Sequence, residues 1–363
     1  MIPRTLSRYV AMRFFGVVTA VFAGVFVLVV LIDYVELMRR ASDAPNVSAW
    51  LVAKTSFFRV PQVTERLLPF AVLVGAMTCY LNLSRRHELV VARSAGMSAW
   101  QFVTPALLVA LVLGALAATV YNPVSAALRE QSKRLEADLF GERPAGLRQT
   151  GGGFWVRQKT VEGQAIINAT SSREQGALLG GVTVFAFDAS GRFRERVEAK
   201  SAELRAGHWR LEQARVYASG SPIRELDSYS LSTNLTREQV RESFATPETV
   251  SFWELPSYIE TAEQAGLAAA GYRLQYQLLL ARPLLLVAMV MLAASVSLRF
   301  FRFGGVSAMV LNGVGAGFLL YVLSKVTEDL SRAELMHPVA AAWLPVLVGG
   351  LTGFVALLYQ EDG

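Results

Sequence analysis

The chain has 363 residues, 53% of them hydrophobic, and a mean hydropathy of +0.37, more apolar surface than a soluble fold of this length needs. Its formal charge of +6 and pI of about 9.5 would suit nucleic acid in a soluble protein, but here the cations flank long apolar runs, so the excess reads as membrane topology and nucleic acid is excluded as a partner. A single cysteine, Cys79, excludes an intrachain disulfide and a cysteine metal cluster.

In chain order, residues 14–32 form the first run able to span a bilayer. It is too long for a signal-peptide core and lacks a cleavage motif, so it should remain as an anchor. Arg39 and Arg40 follow it. The second span is 67–84, lengthened by a tilted continuation through 52–64. Next comes RRHELVVARSAGMS at 85–98, too polar to span and too apolar for an ordinary loop. The third span is 94–128, and Arg129, Lys133 and Arg134 follow it. After a long polar insertion come spans at 283–298 (extended back towards 274), 303–324 and 338–360, with Lys325 closing the fifth. Gly313, Gly315 and Gly317 mimic a dinucleotide loop but lie inside a span, where small residues read as a helix-packing face, as do Gly349 and Gly353. The fold class is therefore a membrane α-helical bundle of six transmembrane helices. The spans are read as nearly free of acids, which disfavours a secondary transporter.

Arg4, Arg8 and Arg13 precede the first span, Arg85, Arg86 and Arg93 lie between the second and third, and Arg299 and Arg302 lie between the fourth and fifth, with Glu88 the one acid among them. The positive-inside bias puts these segments and both termini in the cytoplasm. The insertion then faces the other side. It alternates apolar and polar residues at 154–157, 164–169, 181–187, 208–211, 214–217 and 229–231, with turn signals at 151–153, 188–191 and 206–207. An all-β sandwich, jelly roll or partly open barrel is expected, flanked by helices over 128–139 and 251–264, the latter capped by Ser251 with Glu254 three residues on. The domains are thus 1–128, with a short helix near 84–97, then 129–272 and 273–363.

Catalytic chemistry is not apparent. No G-x-x-x-x-G-K-[ST] loop precedes Lys54-Thr55 or Lys159-Thr160, so no phosphate cradle exists in this sequence. His87, His208 and His337 fall in three separate segments, and no nucleophile elbow occurs. No enzyme activity, metal or cofactor of this chain's own is expected. The basic residues beyond the spans on the far side, Arg39, Arg40, Arg129, Lys133, Arg134 and Lys325, can each be interfacial anchors; as a group they suit an anionic lipid headgroup. In the 85–98 stretch, a helix would set Arg85, Glu88, Ala92 and Ala95 on one face, ended by Gly96, able to enter a groove on another protein. An anchored β-domain acting as scaffold or receptor is the other reading these features leave open.

Arg8-Tyr9, LPFAVLVGA at 68–76, ELVV at 88–91 with Ala95-Gly96 behind it, TNLT at 233–236, GYRLQ at 271–275 and FLLYVL at 318–323 together resemble the LptF/LptG (YjgP/YjgQ) family of lipopolysaccharide export permeases, more closely its LptG branch. The resemblance implies the membrane subunit of an ATP-driven exporter in the bacterial inner membrane, paired with a related permease, LptF. It implies ATP and Mg bound by a separate cytoplasmic LptB dimer, an LptC helix at the interface, and a periplasmic β-jellyroll passing lipopolysaccharide to LptA. It further implies a lateral gate of first and fifth spans, lipid phosphates near Arg39 and Arg40, and ATPase coupling through the stretch carrying Arg85, Arg86, Glu88, Arg93 and Gly96. Asp33 stands where relatives carry a basic residue, and the segment after Pro123 differs in length.

Overall fold

The computed structural model describes residues 4–41, 48–140, 154–160, 163–173, 177–188, 191–205, 207–218, 222–233, 247–264, 269–303 and 306–361. The chain divides into two compact units: Met1–Leu135, Glu248–Trp253 and Ala270–Gly363 make the first, and Glu136–Pro247 with Glu254–Ala269 make the second.

The first unit is helical. Its elements are α1 (Arg4–Ala41), α2 (Ala49–Arg85), α3 (Glu88–Ser94), α4 (Ala99–Leu116), a π turn (Ala117–Tyr121) leading into α5 (Asn122–Phe140), α7 (Ala270–Phe303), α8 (Val306–Arg332) and α9 (Pro338–Glu361), with α6 (Leu255–Gln264) in the second unit. Among the described residues, six stretches are long and apolar enough to cross a membrane: Thr5–Ala41, Ala49–Arg85, Ala99–Lys133, Ala270–Leu298, Val310–Arg332 and Pro338–Tyr359. The count of six agrees with the sequence; several boundaries do not. The third span begins at Ala99 rather than 94, because Gly96 takes a left-handed conformation (φ +79°) that stops α3, and Ser98 starts α4 with a reciprocal capping box to Gln101. The fifth starts later than 303, since α7 runs on to Phe303. The helix expected over 251–264 starts at Leu255, so Ser251 is not its cap.

Lipid tails are as apolar as leucine, so the bundle is held by close packing and polar links rather than by water exclusion. Its core joins Val72, Ala76 and Tyr80 of α2, Val103 and Ala106 of α4, and Val290 and Ala293 of α7. Small residues set the approach: a Cβ on Gly114 would overlap the Cα of Pro283, and one on Gly313 or Gly317 would strike Met77 or Leu73.

The second unit contains β1 (Phe154–Thr160), β2 (Gly163–Arg173), β3 (Leu178–Phe187), β4 (Phe193–Arg205), β5 (His208–Ala218) and β6 (Arg224–Ser232), paired antiparallel in sequential order. β4, FRERVEAKSAELR, escaped the sequence reading because its outward positions are charged; Val197, Ala199, Ala202 and Leu204 nonetheless point inward. The two short runs at 208–211 and 214–217 are one strand, continuous through Gln213 with φ +52°. Alternate residues Ile167, Val184, Val197, Trp209 and Leu211 bury one face. The sheet also curls: Gln158 of β1 donates to the Ser232 carbonyl at 3.0 Å and accepts from Thr233 at 2.6 Å, so its first strand meets the end of its last.

Candidate functional site

Two ends of the helical unit carry the chemistry. At one, α2 stops at Arg85, and the turn at Arg86 and His87 (φ +59°) redirects the chain into α3. Arg85 is therefore not on the same helix as Glu88, and the single face expected for Arg85, Glu88, Ala92 and Ala95 does not form. Instead Leu89 and Ala92 are buried in the bundle, while Arg85, Arg86, Val90, Val91 and Gly96 are exposed; Val91 is 66% exposed. The Met97 amide closes the helix end on the Ala92 carbonyl at 3.2 Å. The side chain of Arg93 lies outside the described residues.

Glu88 turns towards α1 and not outward. Its Oε1 accepts from Arg13 Nη1 at 3.1 Å and from the Tyr9 hydroxyl at 3.2 Å, and Arg13 also donates to that hydroxyl. Tyr9 and Arg13 lie one helical turn apart on α1, which lets both meet one carboxylate. The short helix is thus tied to the first span by a charge-assisted link.

At the other end, the sequence-predicted cations carry acids of their own. Arg39 grips Glu36 with two bonds of 3.0 Å, and Arg40 donates to it at 2.8 Å. Lys325 lies 3.2 Å from Asp329 and 3.8 Å from Glu328. Asp33 is met by Arg59 of α2 at 3.5 Å. Lys133 is exposed and Arg129 half-buried, one turn apart on α5; the side chain of Arg134 lies outside the described residues. Arg39 and Arg40 thus share the Glu36 carboxylate.

The sequence reading passed over a polar knot inside the bundle. Glu65 of α2 is buried and accepts from Asn122 at 3.0 Å, from Ser125 at 2.7 Å and from Arg282 of α7. Beside it, Thr64 and the Tyr121 hydroxyl share a hydrogen bond of 2.8 Å, and Tyr121 donates to the Pro61 carbonyl at 3.1 Å. The usable signal was Glu65, the only acid of α2, and Arg282 within an apolar stretch of α7, residues that in a membrane rarely lack a role. Glu65 falls between 52–64 and 67–84, the two apolar stretches read as one tilted helix. Among the described residues, no group of three or more potential His, Cys, Asp or Glu metal ligands occurs.

Comparison with known proteins gives a consistent answer along the chain. The family described as "Lipopolysaccharide export system permease LptF/LptG" matches residues 8–359. The lipopolysaccharide export system permease protein LptG of Escherichia coli (strain K12) is 25% identical over 350 residues, 94% of each chain. That of Haemophilus influenzae (strain ATCC 51907 / DSM 11121 / KW20 / Rd) is 22% identical over 353 residues, 95% of each. Six apolar spans, one inserted β-sheet and a match that runs from before the first span to the end of the last make this chain a member of the LptF/LptG family of lipopolysaccharide export system permeases.

Proposed function

We propose that this chain is the LptG-type membrane subunit of an ATP-driven exporter that withdraws lipopolysaccharide from the inner membrane and delivers it to a periplasmic bridge. The carrying observation is α3 and the turn before it: a short helix outside the spans that exposes Val90 and Val91, preceded by exposed Arg85 at the end of α2 and Arg86 in the turn, while its one carboxylate is tied to the first span. An apolar pair rimmed by arginines suits a groove on a soluble partner. In this reading that partner is an LptB-type ATPase dimer, which binds ATP and Mg, and α3 with Arg85, Arg86, Glu88, Arg93 and Gly96 receives its movement. LptF would complete the bundle, LptC would sit at the interface, and LptA would accept the lipid.

The basic loops then face the cytoplasm and the curled sheet lies in the periplasm as the jellyroll-like receiver. Arg39 and Arg40, with Arg129, Lys133, Arg134 and Lys325, would hold the lipid phosphates, exchanging the partner acids Glu36, Glu328 and Asp329 for phosphate oxygens. Exchange of this kind makes binding reversible, as a cycle requires, since only a difference in affinity between two states can drive release. Acyl chains would lie along exposed apolar positions of the first and fifth spans, such as Leu31, Ile32, Leu311 and Leu319.

The test co-expresses the chain with its paralogue and an LptB-type ATPase. Val91→Glu should abolish co-purification of the ATPase while leaving the two permeases together; retention of the ATPase at the wild-type ratio would overturn the docking role of α3. ATP-dependent release of lipopolysaccharide from proteoliposomes by the wild-type complex, and its absence without ATP, tests the transport reading itself.

A further inference from the structure

Between the sheet and α6 the chain leaves the second unit, packs into the first for residues Glu248–Trp253, and returns. This touchdown is held by named bonds. Gln62 of α2 donates to the Glu248 carbonyl at 3.1 Å, the Phe252 amide donates to Asn122 Oδ1 at 3.0 Å, and the Trp253 indole donates to the Thr119 carbonyl in the π turn at 3.0 Å. The Phe252 ring stacks on Tyr276 of α7 at 5.6 Å. Asn122 uses the other end of its amide on Glu65, so the segment continues directly into the buried Glu65–Arg282 knot.

From this fixed base the Glu248 side chain reaches two arginines on different spans. Arg332, at the end of α8, lies 2.8 Å away, and Arg66 of α2 lies 3.5 Å away. Arg332 is shared with Glu328 at 2.7 Å. The helix so gripped is one of the two least embedded: 22% of the most apolar window of the fifth span is buried and 6% of the first, against 50%, 39%, 56% and 39% for the second, third, fourth and sixth. Elsewhere α8 leans on its neighbours through Gly313 and Gly317 against α2, and through a 2.9 Å bond from Thr327 to the Ala341 carbonyl of α9. Without Glu248, Arg66 and Arg332 would lose the carboxylate that they share across the α2–α8 boundary.

We propose that Glu248 is a positioning residue, an ionic clip that holds the end of the fifth span against the second and so ties that span to the segment leading in and out of the inserted domain. The proposal rests on the transport reading above for its role in the cycle. The clip itself is a claim about where α8 sits, which can be measured without transport. A partly exposed ion pair is weak enough to open in each cycle, and its closing is a discrete event that a packed bundle can register.

The experiment places spin labels at Val63 and Leu330, exposed positions on α2 and α8, in the full complex in nanodiscs; buried Cys79 does not compete for label. Glu248→Gln and Arg332→Gln should each broaden the α2–α8 distance distribution to longer values in the nucleotide-free state. The double variant should be no broader than either single, and Arg332→Lys should keep the wild-type distribution. Lipopolysaccharide released per ATP hydrolysed should fall by about fivefold or more in the Gln variants, with the ATPase rate retained. An unchanged distance distribution in Glu248→Gln overturns the clip. A broadened distribution with release per ATP at the wild-type value overturns its role in the cycle. Failure of the wild-type complex to release lipid instead refutes the transport reading, and the distances still decide the clip.

Discussion

A carboxylate set among apolar helices must find donors or give up its charge, and Glu65 finds three: Asn122, Ser125 and Arg282. Such a pair adds little net stability over an apolar replacement, yet removing one partner strands a buried charge. Glu65→Gln or Arg282→Gln should therefore each lower the unfolding free energy by about 3–5 kcal/mol, read as a fall in the thermal midpoint in detergent. The double replacement Glu65→Leu with Arg282→Leu should recover most of that loss; a double variant as unstable as the sum of the singles would show that the two side chains act separately. Both residues are visible in the sequence as charges within long helices, but the sequence does not state that residues 217 positions apart meet. The same holds for Glu88. Its place at the head of ELVV was legible, whereas its engagement by Tyr9 and Arg13 depends on how α1 lies against α3.

Among the elements, α4 and α7 approach backbone to backbone where Gly114 faces Pro283 with no space for a methyl group. Gly114→Ala should force the helices apart and cost about 1–3 kcal/mol, while Gly315→Ala, with nothing within 4 Å of the added carbon, should leave the thermal midpoint unchanged. Equal effects of the two substitutions would refute this account of the packing. In the sheet, the Tyr229 phenol is pushed up to about 12 by burial and by its 2.7 Å bond to Glu195. The fold favours the neutral phenol, so the stability this group adds is whole below about pH 10 and is lost as pH climbs through 12. Tyr229→Phe should flatten that part of the alkaline unfolding curve, followed by circular dichroism; an unaltered curve would assign the alkaline loss to other groups. Strands were legible where alternation was apolar, as in GVTVFAF, and hidden where charged residues occupied the outer face, as in β4, because charge on a solvent face lowers the mean hydropathy without changing the pairing.

At the scale of the whole molecule, the link from α3 through Glu88 to Arg13 joins the proposed ATPase-facing helix to the first span. Glu88→Gln and Arg13→Gln should each lower lipid release per ATP by a similar factor, about fivefold or more, and the double variant should be no worse. Strictly additive losses would show that the two side chains contribute separately. Six spans, one inserted β-unit and membership of an export permease family follow from the sequence by itself, because apolar length, period-2 alternation and the motifs along 8–359 are local properties of the chain. The tertiary structure alone decided which charges are partnered between helices: Glu88 turns towards α1, and Glu65 and Glu248 bridge helices distant in sequence, whereas the Glu36 pairs with Arg39 and Arg40 are set by spacing along one helix. Charge pairing between helices depends on the rotation and contact of whole helices, and no short window of residues contains that information.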